Sequence, residues 1–551
     1  MQLTTAWLQP PSAIGGLDHL GTQAPCVLIY SQLLPGITNV TDRARYFSLY
    51  PWFVWSFEIR FPEADAENFI EFFRRADCLF TLISERHGRM TDRDAERHGI
   101  AMVGRIKLIP ALERLEGGEE LRLSEYTDKD SARRYFLNRM GGLGQYYAGT
   151  LGQLELMDPS SKPWIKYTIE RGKPLAEAVE AAVPSDRFWS VLQADRVTLS
   201  DLDVLSAFCA CRIPGNGNEC QTLTDIFFDR GNGFAALGEQ RRKSLALVMN
   251  LARALHAAGG SDLTEEHFRA AIYTGKLPGQ TAWAVPEKLR STRDAWAVYE
   301  RNDLFSVTMQ SVFALCLDAL NPIGRGEEPD RSSVEAFAAH LANSADAHNA
   351  SALLGGGSFG DLCQALGKEG NLPSSWESPE HEIQIAERLV DGVQRGGKVA
   401  NLLADAVHIL VLLHLRDDQN ANPYGSLPMS ADDLIDYPIN LGSLRLRCDR
   451  WRDLRLEDVM ADLFAWLMNT HLRVALRKLR HNGQSTFRFR PTERGLRIVD
   501  DIPPPAPTTP RFRQAVQVLR DIGALIRDGA LAGNPTMPSA EGAMLMKEAG
   551  G

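Results

Sequence analysis

Residues 46–57, YFSLYPWFVWSF, place seven aromatic rings in twelve positions with Pro51 in their midst. Any fold of this chain must find somewhere to put those rings. Twelve residues are too few to cross a bilayer, which takes about 20 in helical form. Arg43, Arg45, Glu58 and Arg60 also flank the run closely. A stacking platform for nucleic acid would interleave exposed rings with cations, and the run contains none. Burial between several helices remains, which makes the segment an N-terminal packing hub. Thr41 is the expected N-cap, with Asp42 in the first turn. Pro51 lacks an N–H and frees the carbonyl of Phe47, which predicts a kink or an end to that helix.

A chain of 551 residues exceeds one ordinary core, so several domains are expected. With 44% apolar and 24% charged residues it reads as soluble and globular rather than disordered. A net charge of −10 disfavours general polyanion binding but leaves room for a local basic patch. The N-terminus lacks the basic and long apolar regions of a signal peptide. The strongest apolar run, residues 399–415, is interrupted by Asp405, His408 and His414 and reads as a buried helix. A cytoplasmic protein without a membrane partner is expected.

Of the eight cysteines, Cys209, Cys211 and Cys220 alone look grouped. A zinc site wants a fourth ligand and usually a C-x-x-C step, and neither shows. The two Arg-His-Gly triplets, with His87 and His98, read as the ends of helices, where cations precede a glycine. No metal site and no cofactor is therefore expected.

Helical periodicity dominates, as in residues 66–88, where Phe69, Ile70, Phe73, Leu79, Phe80 and Ile83 repeat at helical spacing. Strand-like alternation is confined to residues 100–124 and 486–500. The class is mainly α: a multi-domain helical protein with a small C-terminal winged-helix-like α/β-hairpin module. Breaks rich in Gly, Pro and polar residues suggest five parts. These are an N-terminal helical domain with the aromatic hub (1–130), a central helical domain (131–288), a second helical domain (289–440), the basic winged-helix-like module (441–528) and a flexible tail (529–551).

No complete catalytic signature is present. The glycine cluster at 140–152, MGGLGQYYAGTLG, completes neither a P-loop nor a dinucleotide fingerprint, so its glycines are expected to permit close packing. Glu219, Asp225, Asp229 and Glu239 could clamp a divalent metal for nuclease chemistry, with Asp225 and Asp229 four apart on one helix face. A solvated acidic helix edge is the competing account. Catalytic residues are therefore assigned to none of these positions.

The C-terminal block carries more information. Residues 471–501 hold Arg473, Arg477, Lys478, Arg480, Arg488, Arg490, Arg494 and Arg497 against three acids, Glu493, Asp500 and Asp501. A helix with Arg473, Arg477 and Arg480 should stop at HNG. TFRFR should follow as a strand, with Phe487 and Phe489 inward and Arg488 and Arg490 outward. After the PTERG turn, LRIV should return with Leu496 and Ile498 in and Arg497 out. These eight cations are the candidate binding face for nucleic acid or a partner; pairing with an acidic protein and plain solubilisation are the alternatives.

Three stretches together, residues 16–57, 295–320 and 486–525, resemble a family of uncharacterised bacterial proteins whose genes sit beside anti-phage defence or DNA-processing genes. The resemblance carries no catalytic residues. It implies a subunit of a multi-gene defence system with other defence proteins as partners. The expected function is thus a non-catalytic scaffold or sensor subunit of a bacterial anti-phage complex, binding DNA, RNA or a partner through its C-terminal basic face. A metal-dependent nuclease built on residues 219–239 is the runner-up, and a homo-oligomeric structural protein the third reading.

Overall fold

The computed structural model describes residues 18–91, 94, 96–231, 233–321, 331–368, 371–427, 434, 437–483, 485–529 and 535–550. Helices account for 62% of the chain, and strands occur among the described residues only as three two-stranded antiparallel sheets. The protein is mainly α. Its contacts gather into two compact units, one of residues 1–30, 269–282 and 293–508, the other of 31–268, 283–292 and 509–551. These boundaries do not coincide with the five expected segments, because the chain leaves each unit and returns to it. Residues 430–436, where Ser430 with Asp433 three residues on reads in the sequence as the start of a short helix, lie outside the described residues except for Leu434.

In the second unit, the aromatic run forms α1 (Arg45–Arg60) and packs beside α2 (Ala66–Met90). Phe47, Tyr50, Trp52, Phe53 and Phe57 are fully buried. Their partners lie at ring-centroid distances of 5.0–5.4 Å, edge-on for Trp52 with Phe188, Phe53 with Phe73 and Phe57 with Phe69, and tilted for Trp52 with Phe208 and Phe53 with Trp189. Pro51 neither ends nor interrupts α1. A proline inside a helix costs about 3 kcal/mol, whereas each fully buried large apolar side chain contributes about 1.5–3 kcal/mol, and the rings outnumber the proline.

The start of α1 also differs from expectation. Thr41 closes a local turn onto Thr38, and Ala44 occupies the cap position without a side-chain cap. The Ala44 N–H is instead taken by Asp521 at 2.9 Å, from a helix at the far end of the chain. Asp521 also pairs with the fully buried Arg43 at 2.9 Å, and Arg43 donates onward to the carbonyls of Glu96, Arg97 and Ile100. Residues 105–116, within the expected strand region, form a helix, and Leu121 makes an isolated bridge to Val197.

The glycines at 141–142 allow close packing, as expected. A Cβ on Gly142 would fall 2.5 Å from the Tyr50 hydroxyl. The Gly142 N–H donates to the buried Asp77, which also accepts from the Tyr50 and Tyr135 hydroxyls, each at 3.0 Å. The expected flexible tail is structured where it is described. After α3 (Phe512–Asp521), Leu525–Arg527 pairs with Thr536–Pro538, and a helix Ala540–Glu548 buries Leu545 and Met546.

The first unit is built around Glu287–Leu320, of which residues from 293 onward belong to it. This helix is long and apolar enough to cross a membrane, yet 83% of its apolar window is buried inside the protein. It also buries charge: Arg269 pairs with Glu300 at 2.9 Å and Asp303 at 2.5 Å, and Asp303 accepts from the backbone and hydroxyl of Thr508. The apolar helix Val399–Leu415 packs against Glu382–Arg395, and Leu456–Asn482 (α4) packs against Val334–Ala342.

Burial outweighs the three hydrogen bonds to Asp77 and lifts its carboxyl from 3.8 to about 6. The folded protein therefore keeps a proton that the unfolded chain releases, so this group's contribution to stability declines as pH rises from about 4 through 6. Asp77→Asn is expected to flatten the dependence of melting temperature on pH across that window. Thermal unfolding between pH 4 and 7 measures it, and an undiminished slope would mean that Asp77 ionises normally.

Candidate functional site

The C-terminal basic block lies in the first unit. Helix α4 ends at Gly483, whose φ of +67° gives the left-handed cap expected of HNG. The hairpin follows as β1 (Phe489–Thr492) and β2 (Gly495–Ile498). Phe489 and Leu496 are buried, while Arg490, Arg494 and Arg497 are exposed. Phe512–Asp521, the helix expected to complete a winged-helix-like module, belongs to the other unit.

The eight cations separate into two sets. Arg473, Arg480, Arg490, Arg494 and Arg497 are exposed; of their guanidiniums, only that of Arg473 has a hydrogen-bond partner among the described residues, the Thr470 hydroxyl at 3.4 Å. The other three are engaged. Arg477 lies over the Tyr437 ring at 5.5 Å, and Lys478 donates to the Asp18 carbonyl at 2.6 Å. Arg488 departs from the expected outward position: it is 9% exposed.

Arg488 turns inward because polar partners wait there. Its guanidinium pairs with Asp500 at 2.7 Å, donates to the Asp501 carbonyl and reaches His19 Nε2 at 3.3 Å, while its N–H donates to His471 Nε2 at 2.9 Å. Burial, reinforced by the charges of Arg488 and Lys478, pushes His19 and His471 down to about 4, so both rings are neutral and can accept. His471 also packs against Phe313 and Phe489, at 4.9 and 5.4 Å. Thus Arg488 anchors the hairpin, and one of the three acids in the block, Asp500, is spent on it.

What remains on the hairpin is uncompensated. Arg490 and Arg497 are directly opposite each other in the ladder. Like charges in that position destabilise a strand pair, and no acid in the described structure pairs with either side chain.

The four carboxylates at 219–239 do not converge. Glu219 is fully buried, pairs with Arg45 at 2.6 Å and accepts from Ser48 and Asn216. Asp225 is bonded to Gln221 and Arg230. Helix Gly217–Phe227 ends before Asp229, so the two aspartates share no helix face; Asp229 is buried and accepts the N–H groups of Gly233 and Phe234. Glu239 pairs with Lys243 four residues on. Each is committed to local structure.

A different group assembles in the second unit. His87, in the last turn of α2, and His98, in the turn after it, meet Cys209 and Cys211 at the short 3₁₀ segment Ala210–Gly215. One ligating atom from each lies within 4.8 Å of all the others, and no other group of this kind occurs among the described residues. His98 Nδ1 is 3.2 Å from Cys209 Sγ, and His87 Nδ1 is 3.4 Å from Cys211 Sγ. The helix runs through His87 to Met90 rather than stopping at it, and Gly88 gives room: a Cβ there would lie 3.0 Å from that of His98. Burial opposes ionisation of Cys209, but hydrogen bonding, led by the Cys211 thiol, outweighs it and holds the thiol well below its ordinary value; Cys211, hydrogen-bonded to that sulfur, is raised. Cys220 stands apart, donating to the Ile522 carbonyl. The sequence shows both halves of this cluster, but nothing in it joins residues 87–98 to 209–211.

Comparisons with known protein families, characterised proteins and solved structures gave no match to this chain. Glu219→Ala strands a buried arginine and is expected to destabilise the protein by about 3–5 kcal/mol. Asp225→Ala and Glu239→Ala remove exposed pairs and should cost no more than about 1 kcal/mol. Denaturant unfolding of the three variants checks this ordering; a well-folded Glu219→Ala protein would reopen the carboxylates as a site.

Proposed function

We propose that this protein is a non-catalytic binding or scaffold subunit that holds nucleic acid through the exposed arginines of its β1–β2 hairpin. The observation that carries the reading is the cross-strand pair Arg490–Arg497, exposed and facing like with like. A ladder accepts this arrangement at a cost, and a polyanion offsets it by placing phosphates between the two guanidiniums. Arg494 in the turn adds a third cation at the tip. The inward anchoring of Arg488 fixes the hairpin's orientation without using up the outer charge. Arginine forks match phosphate oxygens in bidentate fashion, and such contacts give affinity and register rather than sequence preference. Membership of a bacterial anti-phage complex is part of the proposal and rests on the family resemblance.

Binding of short DNA and RNA duplexes and single strands, followed by fluorescence anisotropy across a salt series, tests the reading. The logarithm of affinity should fall with log salt at about −0.9 per phosphate contacted for duplex DNA. Arg490→Glu with Arg497→Glu should weaken binding on every sequence and flatten that slope by about 2. Binding that ignores salt, or that survives the double reversal unchanged, would remove the hairpin from the interface.

A further inference from the structure

We propose that His87, His98, Cys209 and Cys211 form a structural Cys₂His₂ zinc site that fastens the end of α2 and the turn after it to the 209–215 segment. With Zn–S near 2.3 Å and Zn–N near 2.0–2.1 Å, a tetrahedral site places sulfur and nitrogen ligands roughly 3.5 Å apart. The two thiol–imidazole distances, 3.2 and 3.4 Å, are already close to that edge. Two sulfurs and two imidazoles form a soft donor set that selects zinc over magnesium or calcium. Two thiolates neutralise the ion, so no outside carboxylate is needed.

The surroundings prepare His98 to bind through Nδ1. Its Nε2 faces the Thr91 hydroxyl at 3.3 Å, and that hydroxyl donates its own hydrogen to the His87 carbonyl at 2.8 Å. Thr91 therefore offers Nε2 only a lone pair, the ring proton stays on Nε2, and Nδ1 is left for the metal. Ligating histidines are characteristically held by such an outer hydrogen bond. His87 differs. Its Nε2 lies 3.1 Å from the Arg212 guanidinium, which only donates, so without metal the neutral ring carries its proton on Nδ1. Zinc uptake moves that proton to Nε2 and turns the exposed Arg212 away.

The site is reachable yet closed. Cys211 lines a cleft of about 520 Å³ that gives an ion its path, whereas Cys209 and His98 are buried. Four protein ligands leave no open position for substrate, which marks the site as structural rather than catalytic.

The test uses the full chain purified without chelator. Metal analysis is expected to find about one zinc per chain, and stripped protein titrated with Co²⁺ should show the visible bands of tetrahedral cobalt with thiolate charge transfer. Cys209→Ser and Cys211→Ser should weaken zinc binding by about 100-fold or more. Because both substitutions also alter packing around the 209–215 segment, Thr91→Ala provides a milder arm, expected to weaken zinc by about 10–100-fold, while Cys220→Ser should bind as the native protein does. Stripped wild-type protein that takes up no stoichiometric zinc, a six-coordinate cobalt spectrum, a Cys209–Cys211 disulfide by mass spectrometry, or native affinity in both Cys209→Ser and Thr91→Ala would each overturn the assignment.

Discussion

Much of the second unit depends on a single desolvated cation. Arg43 is entirely buried, with one carboxylate and three carbonyls gathered around it. Taking a guanidinium out of water costs several kcal/mol, which only good geometry and further hydrogen bonds recover. Those bonds come from Asp521 and from the 96–100 turn, so satisfying one charge specifies three distant segments at once. The same turn presents His98, and the same Asp521 receives the N–H of Ala44, the cap residue of α1. The position of the aromatic helix, the docking of α3 and the assembly of the histidine–cysteine cluster share this one requirement. Removing either partner would leave the other charged and buried, a larger penalty than losing the pair together.

Sequence periodicity shows which surfaces must be buried, and here it served well. The rings of residues 46–57 announce a packing hub, and alternation with a glycine turn announces the 489–498 hairpin. Capping and side-chain direction at sites served by remote groups are less legible. Thr41 is a sound cap by local chemistry, yet Asp521 supplies the acceptor from 477 residues away. Arg488 should point outward by alternation, yet two neutral histidines and Asp500 draw it in. The strength of Pro51 as a helix breaker is likewise decided by packing around it. In each case a long-range partner outweighs a local preference of about 1–3 kcal/mol.

The cysteine–histidine group shows the same limit in its sharpest form. Each pair, His87 with His98 and Cys209 with Cys211, is close in sequence and unremarkable alone. Their conjunction depends on α2 being long enough to deliver His87 and on Gly88 allowing His98 to approach it. The acidic residues at 219–239 behave in the opposite way, adjacent in sequence and separated in space. Proximity along the chain was a poor guide to proximity of chemistry in both directions.

The opposed arginines of the hairpin also bear on how the protein avoids its own copies. A two-stranded sheet has unpaired backbone groups along its outer edges, and such edges template pairing with another chain. Arg490, Arg494 and Arg497 surround that short ribbon with one sign of charge, so a second hairpin brought alongside meets repulsion before it can form a ladder. The nature of a replacement then matters as much as its presence. Glutamates would keep the ribbon guarded with the opposite sign, whereas alanines would leave the outer edge of β1 bare and invite aggregation; the edge of β2 is already engaged where the Leu496 N–H donates to the Arg331 carbonyl.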